Sequence, residues 1–216
     1  MKPKLYIGNR NYSSWSLRAW LLLAEAGIPF DEERVPLNTP EFAARIGAIS
    51  PAGLVPVLVL DDGPVWDTLA IAETVAERWS DKQLWPSDRT WRAHARSISA
   101  EMHSGFAALR AAMPMNCRAM GRKVPLTPAL EKDIARVIAI WSDCAARAGG
   151  GWLYGRFGIP DAMYAPVALR FRTYGVELPE AARSFADRVL ESPALQRWLV
   201  AAEAETEVIP EDEAGQ

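Results

Sequence analysis

Strand-forming stretches are confined to the first 66 residues of this 216-residue chain. The runs at 4–7, 30–35 and 54–60 are short and bounded by turn-formers, as strands are. Asp61-Asp62-Gly63 is a hairpin signal, and Val65-Trp66 begin the returning strand. Between and after these runs the spacing is helical. Gly27 stops the first helix, and Thr39-Pro40 opens the second as N-cap and first helical residue. The expected order over 1–80 is βαβαββα. The first two strands are joined through a helix and should be parallel, whereas the hairpin strands are antiparallel. Loop-formers around Leu84 and Trp85 make 81–90 a linker whose two large apolar residues dock on the body. From 91 to 216 the chain reads as all-helical. One long helix runs from 91 to 113 and ends or kinks at Pro114. A second starts at Thr127-Pro128 and breaks at Gly149-Gly150-Gly151, and a third begins at Gly158 and buries Met163, Val167 and Phe171. The fourth covers 179–190, and Ser192-Pro193 opens the last. The acidic end, 203–216, has few apolar anchors and is expected to fray or lie on the surface.

The totals exclude several classes. A formal net charge of -3 with interspersed signs gives no basic face for nucleic acid. No apolar run approaches the ~20 residues that span a bilayer, so no membrane segment is expected. The apolar run after Met1-Lys2-Pro3-Lys4 is too short for a secretory signal. Two cysteines, Cys117 and Cys144, form no metal or redox pair, and with only His94 and His103 no zinc site is expected. Free thiols fit a reducing, cytoplasmic setting.

Three motifs carry chemistry. The stretch Asn11-Tyr12-Ser13-Ser14-Trp15-Ser16-Leu17-Arg18 places hydroxyls at a helix start, where unpaired N–H groups and the dipole favour an anion. Those serines can equally be helix caps. Val55-Pro56 puts a proline in an apolar β run, where it removes a ladder donor. It is either an edge-strand proline in trans or a cis bond that turns the Val55 backbone outward. The base rate favours trans, at about 5–6% cis, and the helix–loop–hairpin context raises the cis share. Asp67-Thr68 follows the returning strand and opens a helix. The pair are good caps, yet they could also hold the carboxylate and ammonium of an amino acid.

In that order, with a change of character near residue 80, the three motifs resemble the cytosolic glutathione transferase family over nearly the whole chain. The Ser-Ser-x-Ser run leading to Arg18 is most similar to the zeta class, which includes maleylacetoacetate isomerases; Trp15 stands where that class has cysteine. Asp67-Thr68 replaces the usual Glu/Gln-Ser pair, and Gly158-Ile159-Pro160-Asp161 keeps the acid but not the hydroxyl of the family's capping motif.

The resemblance implies a thioredoxin-like N-terminal domain over 1–80, an all-α domain over 91–216, a cis Val55–Pro56 bond, a homodimer and glutathione as co-substrate. It also implies a serine hydroxyl that stabilises the glutathione thiolate, with Ser13 first and Ser14 second. Tyr12 and Tyr6 rank behind them as donors. Val55, Pro56, Asp67 and Thr68 would bind the tripeptide. The electrophile pocket would use Asn11, Trp15 and residues of the long helix: Met102, His103, Phe106, Arg110 and Met113. Arg18 is expected in a salt bridge, and Arg45 is the one guess for the glycine carboxylate. The implied activity is transfer of glutathione to small hydrophobic electrophiles. A glutathione-dependent cis–trans isomerase and a non-catalytic binding module of the same fold are the alternatives.

Overall fold

The computed structural model describes residues 2–215. Four strands form one sheet in the order β2-β1-β3-β4, with β1 at Lys4–Ile7, β2 at Asp31–Arg34, β3 at Val57–Leu60 and β4 at Gly63–Trp66. β1 runs parallel to β2 and antiparallel to β3, and β3 pairs antiparallel with β4. The connection from β1 to β2 passes through α1 (Ser14–Glu25), as a parallel pair requires. α2 (Pro40–Ile49) and α3 (Thr68–Arg78) complete the mixed unit. This is a thioredoxin-like arrangement, and the rest of the described chain is helical.

The helical part opens with α4 (Arg89–Ser104) and α5 (Ala107–Ala112). The expected single helix over 91–113 is therefore two. The break falls at Gly105-Phe106, upstream of Pro114. Phe106 sits in the left-handed region at φ 59°, and a Cβ on Gly105 would meet the Glu101 carbonyl oxygen at 2.7 Å. The orphan carbonyls of α4 find a partner in Arg110, which donates to Gly105 O at 3.0 Å and also to Met102 O.

α6 (Pro128–Ala148) ends at Gly149, with φ 83°. α7 (Ile159–Tyr174) is the axis of the molecule, with all of its residues buried except Arg172. It packs on α1, α4 and α8 (Glu180–Leu190), and α9 (Pro193–Glu203) closes the layer against α1. The start of α7 explains Gly158. Its carboxylate cap is kept, since Asp161 accepts from Gly158 N and Leu153 N at 2.8 Å each. A side chain is not tolerated, because a Cβ on Gly158 would lie 2.6 Å from Leu84 O. Leu84 is buried there, and its carbonyl accepts from Ile159 N at 3.0 Å, while Trp85 Nε1 donates to Glu73 on α3 at 3.1 Å. Residues 84–85 thus tie α7 to α3.

Of its two expectations the acidic end meets the second: its described residues lie on the surface, anchored rather than frayed. After α9 it folds back over the serine turn. Glu205, 8% exposed, accepts from Arg10 N at 2.9 Å and Asn11 N at 3.1 Å. Glu213 accepts from Tyr12 Oη at 2.7 Å, and Arg122 pairs with it at 2.5 Å. The anchors are carboxylates meeting orphan N–H groups and arginines, which a search for apolar anchors passes over.

Candidate active site

The N-terminal end of α1 is built from its own serines. Ser13 is the N-cap. Its Oγ accepts from Ser16 N at 3.3 Å and donates to Ser16 Oγ at 2.8 Å. Ser16, fully buried, accepts in turn from Gly8 N at 3.0 Å, which ties the helix to the end of β1. Ser14 faces the other way and accepts from Arg170 of α7 at 3.1 Å.

Ser13 and Ser14 both line a cleft of about 400 Å³, with Tyr12, Trp15, Leu54 and Val55. Arg110, Arg170 and Asp212 bring charge to it. The ring of Tyr12 borders this cleft, but its hydroxyl is engaged by Glu213 and Arg118. Tyr6 packs with the cluster around Val35, Ile46 and Val57.

A second cleft, of about 360 Å³, shares Trp15, Leu54 and Val55 with the first and adds Pro56, Trp66, Asp67, Thr68 and His103. The two adjoin across these three residues and together make up the groove. The Val55–Pro56 bond on its wall is cis. Asp67 caps α3 with Oδ1 accepting from Leu69 N at 2.8 Å, and its backbone sits at φ 54°. A positive φ is uncommon for a side chain of this kind and tends to mark a functional site. Its Oδ2 lies 3.2 Å from His103 Nε2. Thr68 is 2% exposed, and its Oγ1 has no hydrogen-bond partner among the described residues. A buried orphan hydroxyl costs about 1–3 kcal/mol. Placed at a helix N-terminus on a groove wall, it fits a ligand carboxylate.

Three arginines with no ion-pair partner among the described residues surround the groove. Arg18 is fully buried, donates from Nε to Met163 O at 2.9 Å, and stacks 4.5 Å from the Trp15 ring. Among the described residues the expected salt bridge of Arg18 is absent. Burial, with Arg110 and Arg170 nearby, pushes its pKa well down. Arg110 sits 4.8 Å from the same indole. Burial lowers the Arg170 pKa to about 10, with Arg110 adding to the effect. The Trp15 ring thus contacts two guanidinium groups, with His103 edge-on at 5.3 Å. Asp212 of the returning tail is the acid in the cleft, and burial raises its pKa.

Several expected residues lie elsewhere. Asn11 is fully buried and donates from Nδ2 to Asn116 at 3.0 Å, while its Oδ1 accepts from Arg118 N at 2.9 Å. It fastens the serine turn to the segment after α5 and lines neither cleft. Met102, on the buried face of α4, and Phe106, at the break, are in the hydrophobic core. Met113 is also core, and its carbonyl accepts from Arg170 at 2.7 Å. Arg45 pairs with Glu33 and Glu41 and lines neither cleft. Trp15, His103 and Arg110 do line the groove. Arg170 and Asp212 were not anticipated. Arg170 does leave a signal, a lone cation inside the apolar run Tyr164-Ala165-Pro166-Val167-Ala168-Leu169 and Phe171.

No group of His, Cys, Asp and Glu suited to a metal ion occurs among the described residues, and none of the described helices is long and apolar enough to cross a membrane.

Two family models match this chain: "Glutathione S-transferase, N-terminal domain" over residues 12–78 and "Glutathione S-transferase, C-terminal domain" over residues 89–201. A probable maleylacetoacetate isomerase of Caenorhabditis elegans is 36% identical over 105 residues, 49% of this chain and 48% of that protein. A maleylacetoacetate isomerase of Rattus norvegicus is 34% identical over 114 residues, 50% of this chain and 51% of that one. The match spans about half the length of these curated relatives. Among solved structures, a glutathione transferase homolog from Burkholderia gl BGR1 with bound glutathione superimposes with a TM-score of 0.72 at 23% identity, covering 95% of this chain and 100% of that one. Ure2p in complex with glutathione gives 0.68 at 17% identity, covering 92% and 94%. At such identities the structural likeness speaks for the fold alone.

Proposed function

The chain belongs to the glutathione S-transferase family, and from that premise we propose that it binds glutathione in the groove and presents its thiolate to a small hydrophobic electrophile. One observation carries this reading. The orphan Thr68 hydroxyl at the head of α3 and the serine hydroxyls at the head of α1 line adjoining clefts that share Val55 and Trp15. Thr68 and the α3 N-terminus suit the γ-glutamyl carboxylate, and the Asp67 carboxylate suits its ammonium. Val55 and Pro56 border the middle of the groove, where the tripeptide backbone would lie. In this reading 1–80 carry the glutathione site, 81–90 link, and 91–216 supply Arg110, Arg170 and His103 as the far wall. The protein would act in the cytoplasm as a homodimer, which light scattering after gel filtration reads out.

Glutathione supplies the nucleophile, and the chain supplies the field that keeps it ionised. A free thiol has a pKa near ~8.5. Lowering it by two units takes ~2.7 kcal/mol of differential stabilisation. A charge-assisted hydrogen bond of ~1.5–3 kcal/mol from a serine is of that size, and the α1 dipole adds to it. The thiol proton leaves to solvent and no general base is needed. Trp15 and Leu54 give the electrophile an apolar contact beside the sulfur.

A second reading has its own support. The relatives named as maleylacetoacetate isomerases, together with Arg110 and Arg170 on the cleft wall, favour an acidic, conjugated substrate and an addition–rotation–elimination cycle. The two readings share the thiolate and differ in the electrophile.

The test is the ultraviolet difference absorbance of bound glutathione against pH, followed by turnover of an aromatic halide and of an acid whose cis double bond is conjugated to a carbonyl. A bound thiol titrating well below the free one, with conjugation, supports the transferase; isomerisation alone supports the second reading. A bound thiol that titrates as in free solution removes catalysis. Absence of binding leaves the interaction module.

A further inference from the structure

We infer that the hydroxyl donating to the glutathione sulfur belongs to Ser14, and that Arg170, reaching it from α7, is the positioning residue that sets its strength. The inference rests on the glutathione reading above and deepens it.

The two candidate serines differ in what their oxygens already do. Ser13 is engaged at both ends, accepting from Ser16 N and donating to Ser16 Oγ, and the chain continues to Gly8 N. For Ser13 to donate to a sulfur, its bond to Ser16 must reverse, with Ser16 Oγ donating in its place. Ser14 only accepts, from Arg170 Nη2 at 3.1 Å, and none of the described residues takes its proton. Its proton is therefore free for a ligand in the cleft it lines. A cation donating to a hydroxyl oxygen draws density from it and makes its O–H the better donor.

Arg170 is built for holding. It is 5% exposed, its Nη1 donates to Met113 O at 2.7 Å, and it sits on a helix buried on nearly every side. The other charges facing the cleft are Arg110 and Asp212. Arg18 lies behind Trp15, and His103 and Asp67 line the adjoining cleft. Asp212 bears on Arg170 and opposes the arginines, so its ionisation works against a thiolate. A distant charge would act on the sulfur with or without Ser14, whereas Arg170 acting through the hydroxyl would not.

That difference is the test. The thiol pKa of bound glutathione is titrated by ultraviolet difference absorbance in wild type, Ser13→Ala, Ser14→Ala, Arg170→Gln, Arg170→Lys and the double variant Ser14→Ala/Arg170→Gln. Circular dichroism and glutathione affinity check each fold. Ser14→Ala is expected to raise the pKa by about one unit or more, tenfold in thiolate fraction. Arg170→Gln is expected to raise it by a comparable amount, Arg170→Lys by less, and the double variant by no more than Ser14→Ala alone. Ser13→Ala is expected to move it less than Ser14→Ala does. The opposite order of the two serines, or additive shifts in the double variant, overturns the inference while the glutathione reading stands. If Arg170→Gln does not fold, the order of the serines decides alone. A wild-type thiol that titrates as in free solution overturns both readings.

Discussion

Two helix N-termini face the same groove, and they are finished in opposite ways. At α1 most of the polar groups have a partner inside the protein. Ser13 and Ser16 satisfy each other, Arg170 reaches Ser14, and Glu205 takes the N–H groups of Arg10 and Asn11. At α3 the cap residue is held in a left-handed backbone, and the buried Thr68 hydroxyl has no partner among the described residues. The first end is stable without a ligand and keeps one free proton for it. The second carries an unpaid desolvation cost that a ligand would relieve. The tripeptide's binding energy should therefore come from the α3 end and its reactivity from the α1 end, as differential binding requires.

The largest expected effect tests how far the α1 end depends on the tail. Glu205→Ala removes a buried carboxylate that accepts two backbone N–H groups and lies near Arg10 and Arg34 at 3.7 and 3.6 Å. Breaking such a buried cluster from one side costs about 3–5 kcal/mol. Urea denaturation should read a loss of that order, along with weaker glutathione binding. A loss below about 1 kcal/mol, the range of a surface pair, would mean the serine turn holds itself.

The α3 end should behave in the reverse way. Thr68→Val keeps the shape and removes the orphan hydroxyl. Stability is expected to stay level or rise, since no hydrogen bond is lost. Glutathione affinity is expected to fall by about ten- to a hundredfold, the worth of a bond to a charged group at ~1.5–3 kcal/mol. Calorimetry of wild type and variant checks this. Equal affinities would leave the orphan hydroxyl without a purpose and erase the contrast.

How much of this the sequence disclosed depends on how each residue acts. Caps that work through their neighbours in the chain are legible: Thr39-Pro40, Thr127-Pro128, Ser192-Pro193 and the stop at Gly27 all sit where local rules put them. Asp67-Thr68 is legible for the same reason. The break at Gly105-Phe106 is not, because it depends on Arg110 capping α4 from the next helix. Arg170 is marked only as a lone cation in an apolar run, and because α7 is buried all round its periodicity does not say which way it points. The returning tail is hidden because its partners lie nearly two hundred residues away.

A third helix N-terminus, that of α7, sharpens the comparison through pH. Asp161 is fully buried, and burial raises its pKa from 3.8 to about 7 even though three backbone N–H groups favour the charged form. Between those two values the folded protein holds a proton that the unfolded chain has released. Stability is therefore highest below about 4 for this group and falls as pH rises to 7, by up to about 1.4 kcal/mol per pH unit. Asp161→Asn should flatten that slope between pH 5 and 7 while costing a hydrogen bond throughout. A wild-type stability that rises over the same window, with the asparagine variant unchanged in slope, would mean the carboxylate is ionised and its cap behaves like an exposed one.

The smallest expected effect separates capping from chemistry at Ser13. As an N-cap it accepts from Ser16 N, and replacing such a serine by alanine costs about 1 kcal/mol, by glycine only a few tenths. That order arises because glycine lets water reach the bare N–H groups. Ser13→Ala and Ser13→Gly should therefore differ in melting temperature in that sense, and both should lose the bond to Ser16 Oγ that tethers Gly8. If Ser13 is chiefly a cap, turnover at saturating glutathione should follow the stability ranking, with the glycine variant nearer wild type. If it is the thiol donor, both variants should lose turnover equally, since neither has a hydroxyl to give. The glycine variant thus divides the two duties of one side chain, and the division fixes which end of the Ser13-Ser14 pair belongs to the fold.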